Sequence, residues 1–388
     1  MQNTIPYTRQ SIDEEDIAAV VESLKSPYVT RGPKTEEFEE NLANYCGAKY
    51  AVSFNSGSTA LMAAAYAAKV DSFDHYISSC NTFIASFSAA IKFSANYVFT
   101  DIDPQTGNAT LEDMIGTQEQ KLSRGKRVFC PVHFAGLAMD IARLEQSLKD
   151  PESIIIEDAA HALGSSYHSG NKVGNCEASD MCIFSFHPAK TITTGEGGMV
   201  TTNQKDIFEA LRLFRNNGLV KDKEKTQAIG PWYYEVHELS SNYHLCEMQA
   251  ALGISQLKKL DSFVQRKQEI VKRYRSNFKD CHYIQLIDEQ YDERTAFHLL
   301  STQIDFSKLG IEKKELMLKL KEKGICSQVH YIPLYRHPYF ENKISFKHFP
   351  NAETFYEKQL SLPLFSNLKD QEVDEISEAV MGIMRDYA

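Results

Sequence analysis

Lys190 is one residue in this chain whose setting could make an amine nucleophilic. It sits in DMCIFSFHPAKTITTGEGGMVTT, residues 180–202, between an apolar run (Met181 to Phe186) and the glycines Gly195, Gly197 and Gly198. At the end of a buried strand an ammonium is poorly solvated, so its pKa falls and Schiff-base chemistry opens to it. A surface lysine in a loop has the same local spelling, and this stretch alone does not separate the two. In IIIEDAAHALGS, Asp158 follows an apolar run and His161 lies about one turn further on. A carboxylate there needs a cation or hydrogen-bond donors to offset its desolvation. A protonated pyridine nitrogen is one such partner; a loop ion pair or a helix cap is another, and a core histidine would account for His161.

Three further stretches offer ligand-binding groups. FNSGSTAL, residues 54–61, turns from a strand into an alanine-rich helix (Ala60 to Ala68) and aims free N–H groups and hydroxyls, Ser56 and Ser58 among them, at an anion. Helix capping uses the same residue types. CNTFIAS, residues 80–86, places Phe83 after a strand, where it could lie flat on an aromatic ligand or fill a core. SSNYHLCEMQAALG, residues 240–253, shows Leu245, Met248 and Leu252 on one helical face with Asn242 at its start, as an N-cap or an amide reaching a phosphate.

The elements that must position these groups are legible as periodicity. A helix is predicted over Ile12 to Leu24, capped by Ser11, and another over Thr35 to Tyr45, with the turn-rich SPYVTRGP between them. Strands are predicted at Tyr50–Phe54, His75–Ser78, Tyr97–Thr100, Val128–Val132, Ile154–Glu157, Met181–Phe186 and Met199–Thr202. Runs apolar on both faces, such as Ile154-Ile155-Ile156, require a parallel sheet covered by helices. The fold class is therefore α/β, with residues 1–260 as a large domain. Residues 261–388 read as a smaller α+β domain: helices over 261–278, 313–323, 352–360 and 369–385, and strands over 297–304 and 326–331. The ligands of such a sheet lie beyond the carboxyl ends of its strands.

Composition excludes several classes. A net charge of −10 without a dominant Lys/Arg run argues against nucleic acid as the partner. The basic residues Lys258, Lys259, Arg266, Lys267, Lys272 and Arg273 alternate with acids and apolars and read as a solvated helix face. No apolar run has the length of a membrane span, and no signal pattern opens the chain, so a cytoplasmic location is expected. The eight cysteines are scattered with no C-x-x-C, which speaks against zinc or a disulfide framework. No G-x-G-x-x-G follows the first strand, so a nicotinamide dehydrogenase lacks its fingerprint.

FSFHPAKTITTGEGG, with EDAAHALGS upstream, FNSGSTAL near the N-terminus and SNYHLCEMQAALG downstream, resembles the DegT/DnrJ family of sugar aminotransferases nearly end to end. These are fold-type I enzymes that use pyridoxal 5'-phosphate (PLP). The resemblance implies that Lys190 forms the Schiff base with the cofactor and that Asp158 pairs with its pyridine nitrogen. It puts His161 near the phenolic oxygen and Phe83 on the ring. Gly57, Ser58 and Ser185 become the phosphate cradle, and Asn242 reaches the phosphate from the other subunit of a homodimer. L-glutamate is the implied amino donor and a nucleotide-sugar the acceptor. Within the family, Tyr7, SPYVTRGP and SQVHYIPLYRHPYF resemble the branch that makes UDP-4-amino-4,6-dideoxy-N-acetyl-β-L-altrosamine for pseudaminic acid. That likeness nominates Tyr7, Pro27, Tyr28, Val29, Thr30, Val329, His330, Tyr331 and Ile332 as substrate contacts, although a buried strand and a turn would look the same. A 3- or 4-aminotransferase for another nucleotide-linked keto-deoxysugar is the alternative. A related dehydratase branch carries histidine in place of the lysine, and a non-catalytic regulator would need neither Lys190 nor the cradle. His133 and residues 280–294 receive no role.

Overall fold

A computed structural model describes residues 4–120, 124–341 and 343–387. Its centre is a seven-stranded sheet built from β1 (Tyr50–Phe54), β2 (His75–Ser79), β3 (Asn96–Thr100), β4 (Arg127–Cys130), β5 (Ile154–Asp158), β6 (Met181–Ser185) and β7 (Gly198–Thr202). The spatial order is β1-β7-β6-β5-β4-β2-β3. Strand β7 runs antiparallel to both β1 and β6, and the other pairs are parallel. Six strands therefore end at one edge of the sheet. The reversed β7 begins there too, with Gly198 paired to both Phe54 and Ser185.

Helices cover both faces, as the apolar strands demand. Helix α1 (Glu14–Lys25) and helix α2 (Pro33–Cys46) precede the sheet, and helix α3 (Gly57–Ala67) leaves β1 and packs on β6 and β7. Its alanines Ala60, Ala63, Ala64, Ala65 and Ala67 are buried, so the absence of larger side chains lets the helix lie close on the strands. Among the described residues no helix is long and apolar enough to cross a membrane.

Helix α1 is capped by Asp13, not by Ser11 as the sequence suggested. The Asp13 carboxylate accepts the N–H groups of Glu15 and Asp16, while the Ser11 carbonyl is taken by the Gln256 side chain. A full negative charge meets the helix dipole better than a hydroxyl does.

Beyond the sheet the chain breaks at Lys258–Lys259 and resumes as the helix Leu260–Phe278. It then builds a three-stranded antiparallel sheet from Ile284–Leu286, Leu300–Ile304 and Gln359–Leu362, flanked by the helices Lys313–Glu322 and Asp370–Arg385. Ile270, Tyr274, Leu320, Leu362 and Val380 form a core separate from that of the large sheet. Residues 280–294 are the edge strand and a short turn, anchored by Arg275 to Asp292 at 2.8 Å.

A division near residue 260 is crossed in both directions. Ile5 bridges to Ile325, and the Tyr7 carbonyl accepts the Leu364 N–H, so the first described residues lie with the C-terminal part. Conversely Leu334, Tyr335, Phe340, Phe349 and Phe355 pack into the core of the large sheet. There Asp101 accepts the N–H groups of Asn351 and Ala352 at the start of the helix Pro350–Lys358.

Two elements differ from the periodicity. The stretch 352–360 is helical only to Lys358 and then becomes a strand. Residues 326–331 form no strand, apart from one bridge of Gln328 to Ser361. The N–H groups of the last three go to side chains instead: Val329 to Gln328 Oε1, His330 to Gln359 Oε1 and Tyr331 to Asn81 Oδ1. Side-chain acceptors replace the ladder, and the segment is free to line a cleft.

Candidate active site

Beyond β6 the chain closes on itself. The Phe186 N–H donates to the Gly197 carbonyl, and the Phe186 carbonyl accepts from Thr194 N–H and the Thr193 hydroxyl. This knot presents Lys190. Burial pushes the Lys190 amine down to about 8, with the nearby Asp158 charge opposing the shift. Among the described residues its Nζ has no hydrogen-bond or ion-pair partner. Lys267 lies close by, its Nζ donating to the Thr191 hydroxyl at 3.2 Å. Its neighbours on the basic helix are at the surface or paired, but Lys267 is buried and pushed down to about 7, which corrects the reading of that whole face as solvated.

Asp158 ends β5 and is 5% exposed. Its Oδ2 accepts the Ser86 hydroxyl at 2.6 Å and its Oδ1 the Ala160 N–H at 3.1 Å. Two of the roughly four lone-pair sites of a carboxylate are thereby used. The preceding residue, Glu157, points to the other face of the sheet, as strand alternation requires. There it meets His133 Nε2 at 2.7 Å, the Tyr167 hydroxyl at 2.6 Å and the Ser179 hydroxyl. His133 spends its second nitrogen on the Met139 N–H, so it belongs to a buried structural network.

At the end of β1, Ser56 caps α3: its hydroxyl accepts the Thr59 N–H and its carbonyl the Ala60 N–H. The first N–H groups of a helix have no internal partner, which leaves those of Gly57 and Ser58 for an anion. Gly57 is required by closeness, since a Cβ there would lie 2.8 Å from Ser185 Cβ. The loop is braced from below by a buried pair the sequence did not disclose. Arg215 donates to Glu39 and to Ser53, and Glu39 accepts both the N–H and the hydroxyl of Ser53.

A second cluster stands opposite. His161 Nδ1 accepts the Ala135 N–H at 3.3 Å, and His161 Nε2 lies 3.1 Å from the Tyr331 hydroxyl. His298, also buried and absent from the sequence reading, places its ring 4.2 Å from that of His161 and gives its N–H to the Ala135 carbonyl. One residue, Ala135, thus holds both histidines. Ala135 adopts a left-handed φ of 55°, and Gly136 follows with φ 100°. A Cβ at Gly136 would lie 3.0 Å from Phe297 N and 3.1 Å from His161 O. Gly136→Ala is therefore expected to cost at least about 1–2 kcal/mol from the backbone conformation alone, read as a lower urea midpoint. A midpoint within error of wild type would show that the turn relaxes freely. Burial drives both His161 and His298 well below the usual histidine range, so both are neutral.

Tyr331 joins this cluster to a cleft of about 910 Å³ lined also by Tyr7, Phe83, Val329, His330 and Ile332, together with Ile84, Tyr339 and others, while Lys190 and His298 line a separate small pocket. Phe83 is 57% exposed, with its ring 6.3 Å from that of Tyr331. His330 bonds Ser361 through Nδ1 at 2.9 Å. Two nominated groups are not brought here within the chain. Residues 27–30 are exposed and held elsewhere, with the Val29 carbonyl on the Glu247 N–H and Thr30 bridged to Cys246. The buried Glu247 fixes that region by accepting the N–H groups of Lys34 and Thr35 at the start of α2. Asn242 does not start a helix: the helix Glu247–Leu257 is capped at Cys246. Asn242 is exposed, bridges Asn216, and is followed by Tyr243, whose carbonyl accepts the Asn55 N–H next to the α3 turn.

PLP fits these residues. The partnerless amine of Lys190 suits its aldehyde, the half-satisfied carboxylate of Asp158 its pyridine nitrogen, the free N–H groups at Gly57 and Ser58 its phosphate, and the exposed ring of Phe83 its face.

The model of the DegT/DnrJ/EryC1/StrS aminotransferase family matches residues 10–381. The chain is 35% identical over 98% of its length to the spore coat polysaccharide biosynthesis protein SpsC of Bacillus subtilis, 97% of which is covered. It is 34% identical, with 98% and 97% covered, to the UDP-4-amino-4,6-dideoxy-N-acetyl-β-L-altrosamine transaminase of Campylobacter jejuni. The sugar aminotransferase Spr1654 of Streptococcus pneumoniae, described as putative, superposes with TM-scores of 0.89 in its PLP-form and 0.91 in its PMP-form. It shares 29% identity, with 99% of this chain and 100% of that one covered.

Proposed function

The chain belongs to the DegT/DnrJ/EryC1/StrS aminotransferase family and is a PLP-dependent sugar aminotransferase; from that premise we propose that it moves an amino group from L-glutamate to C4 of a UDP-4-keto-6-deoxy-N-acetylhexosamine. The product would be UDP-4-amino-4,6-dideoxy-N-acetyl-β-L-altrosamine. The observation that carries the choice of sugar is the match over nearly the whole chain to the Campylobacter transaminase of that name. The relation to SpsC supports the alternative, a 3- or 4-aminotransferase for another nucleotide-linked keto-deoxysugar.

PLP supplies an electron sink that stabilises negative charge at the donor's α-carbon. The protein's part is to place protons. With the cofactor bound, Lys190, whose amine burial pushes down, would be the group that takes the proton from the donor's α-carbon and returns it at C4', a general acid–base task. Asp158 holds a proton on the pyridine nitrogen, with Ser86 and Ala160 fixing its carboxylate. Gly57, Ser58 and Ser185 would hold the phosphate, and Phe83 would cover the ring. Tyr7 and Val329 to Ile332 bind the sugar. The test is spectroscopic: glutamate alone should discharge the visible absorbance of the enzyme, and the keto-sugar should restore it. A band that glutamate leaves unchanged would count against the donor.

The reading also proposes a homodimer in which Asn242, and residues 27–30, serve the partner's site. Mixing inactive Lys190→Ala with an Asn242→Ala variant then creates hybrids with one intact site each. Recovery of about a quarter of the wild-type rate is expected for random exchange. No recovery, despite demonstrated subunit exchange, would place Asn242 in its own subunit's site.

A further inference from the structure

Resting on the reading of His330 as a substrate contact, we propose that Gln359 and Ser361 lock the ring proton of His330 on Nε2, so that His330 meets the keto-sugar as a hydrogen-bond donor to one of its oxygens. Gln359 and Ser361 are then positioning residues, and His330 the group that touches substrate.

The chain of donors starts at the backbone. The His330 N–H donates to Gln359 Oε1 at 2.8 Å. A backbone N–H can only donate, so this end of the Gln359 amide is its oxygen and the other end carries the protons. That NH2 group donates to the Ser361 hydroxyl oxygen at 2.8 Å and to that of Ser301 at 3.2 Å. Ser361 is fully buried, and among the described residues its hydroxyl meets this amide and His330 Nδ1, the latter at 2.9 Å. The amide nitrogen has no lone pair to offer, so the buried hydroxyl proton has one acceptor, Nδ1. An uncharged imidazole with a lone pair on Nδ1 carries its proton on Nε2.

Among the described residues Nε2 has no hydrogen-bond partner, although His330 is only 7% exposed and lines the cleft with Tyr7, Phe83 and Tyr331. A donor so placed is costly unless a ligand supplies the acceptor. Burial, with the Lys190 charge adding to it, lowers His330 to about 4, so near neutral pH the ring holds a single proton. The three residues are held as a unit, because Ser361 exchanges both backbone bonds with Gln328, two positions before His330. His161, nominated for the phenolic oxygen of the cofactor, has no part in this lock, so a filled cofactor site leaves its partners in place. A carbonyl oxygen only accepts, and a fixed donor suits it while refusing a group that presents its own N–H there.

The test uses the PLP-loaded enzyme throughout. With nitrogen-15 histidine labelling and no sugar present, the His330 ring is expected to carry its proton on Nε2, and a proton on Nδ1 would overturn the lock. In Gln359→Glu the carboxylate accepts from both the His330 N–H and the Ser361 hydroxyl, so Ser361 must accept from the ring and the proton is expected on Nδ1. A proton still on Nε2 would remove Gln359 from the lock. The half-reactions are then timed separately in His330→Phe and Gln359→Glu. One is the discharge of the visible band by glutamate; the other is its return when the discharged enzyme, freed of glutamate, meets UDP-2-acetamido-2,6-dideoxy-β-L-arabino-hex-4-ulose. Both variants are expected to keep the glutamate step within a few-fold and to lose about 10–100-fold in the sugar step, the scale of one acceptor left unmet. A loss confined to the glutamate step would give the proton to the amino donor, a loss in both steps would give it to the cofactor, and no loss would leave it idle; each overturns the proposal. A wild-type enzyme inert to this sugar counts against the assigned sugar alone, because the tautomer is read without it and the sugar step is then timed with the D-xylo epimer.

Discussion

Lys190→Ala is expected to lower turnover by at least about 10⁴-fold, the upper range for a positioned acid–base group, and to remove the visible absorbance that wild-type protein shows with PLP. Both losses would follow from one side chain, because the amine proposed to capture the aldehyde is also the one proposed to shuttle the proton. The fold should survive, since the amine makes no hydrogen bond or ion pair among the described residues and its burial is a cost. Its pKa near 8 adds a dependence on pH. The amine is protonated below that value and neutral above it, so cofactor capture by the PLP-free protein should quicken as pH rises through about 8 and then level off. An ordinary lysine would go on gaining to about 10.4. Full activity in Lys190→Ala would remove Lys190 from the chemistry; capture that rises only near 10 would mean the amine is solvated.

Asp158→Asn is expected to behave differently. The amine is untouched, so the protein should still take up PLP and absorb visible light. What would be lost is the negative charge proposed to keep the pyridine nitrogen protonated. Breaking a buried ion pair from one side costs about 3–5 kcal/mol, and at about 1.4 kcal/mol per decade this is about 10²–10⁴-fold in the rate at which glutamate discharges the band. The amide also cannot repeat the present contacts in full, because its one oxygen must serve both Ser86 and Ala160, each of which now has its own. A discharge rate within a few-fold of wild type would show that the ring nitrogen does not rely on Asp158. Because Ser86 shares the carboxylate, Ser86→Ala should lose less than Asp158→Asn.

The large sheet was readable because its strands obey a local rule. Ile154-Ile155-Ile156 and Met181 to Phe186 are apolar on both faces, and each of the seven predicted runs overlaps a strand. Lys190 and Asp158 could be singled out because each ends such a run. Tertiary partners were harder to read. Residues 326–331 look like a strand, yet Asn81, some 250 positions away, supplies an acceptor that a ladder would have supplied. His298, in AFHLLS, reads as a strand residue; only the turn at Ala135, in another part of the chain, sets its ring on His161. Lys267 sits in a basic helix whose periodicity places it correctly on the inward face, but charge alone suggested solvent. Arg215 and Glu39 lie 176 positions apart, and nothing local links them. A helix cap is a similar case: Ser11 and Asp13 both satisfy the local pattern, and it is the Asp13 carboxylate that accepts the Glu15 and Asp16 N–H groups. A histidine's tautomer, and with it the direction of a neighbouring hydroxyl, is a property of assembled partners.

The most direct test of the assigned reaction is the identity of the product. The enzyme, with PLP and L-glutamate, is given UDP-2-acetamido-2,6-dideoxy-β-L-arabino-hex-4-ulose and, separately, its D-xylo epimer. Products are identified by mass spectrometry and NMR, with Lys190→Ala as control. Amination at C4 of the L-arabino sugar alone is the expected result. Turnover of the epimer alone, or of neither by an enzyme whose band glutamate still discharges, would contradict the assigned sugar and leave the aminotransferase standing.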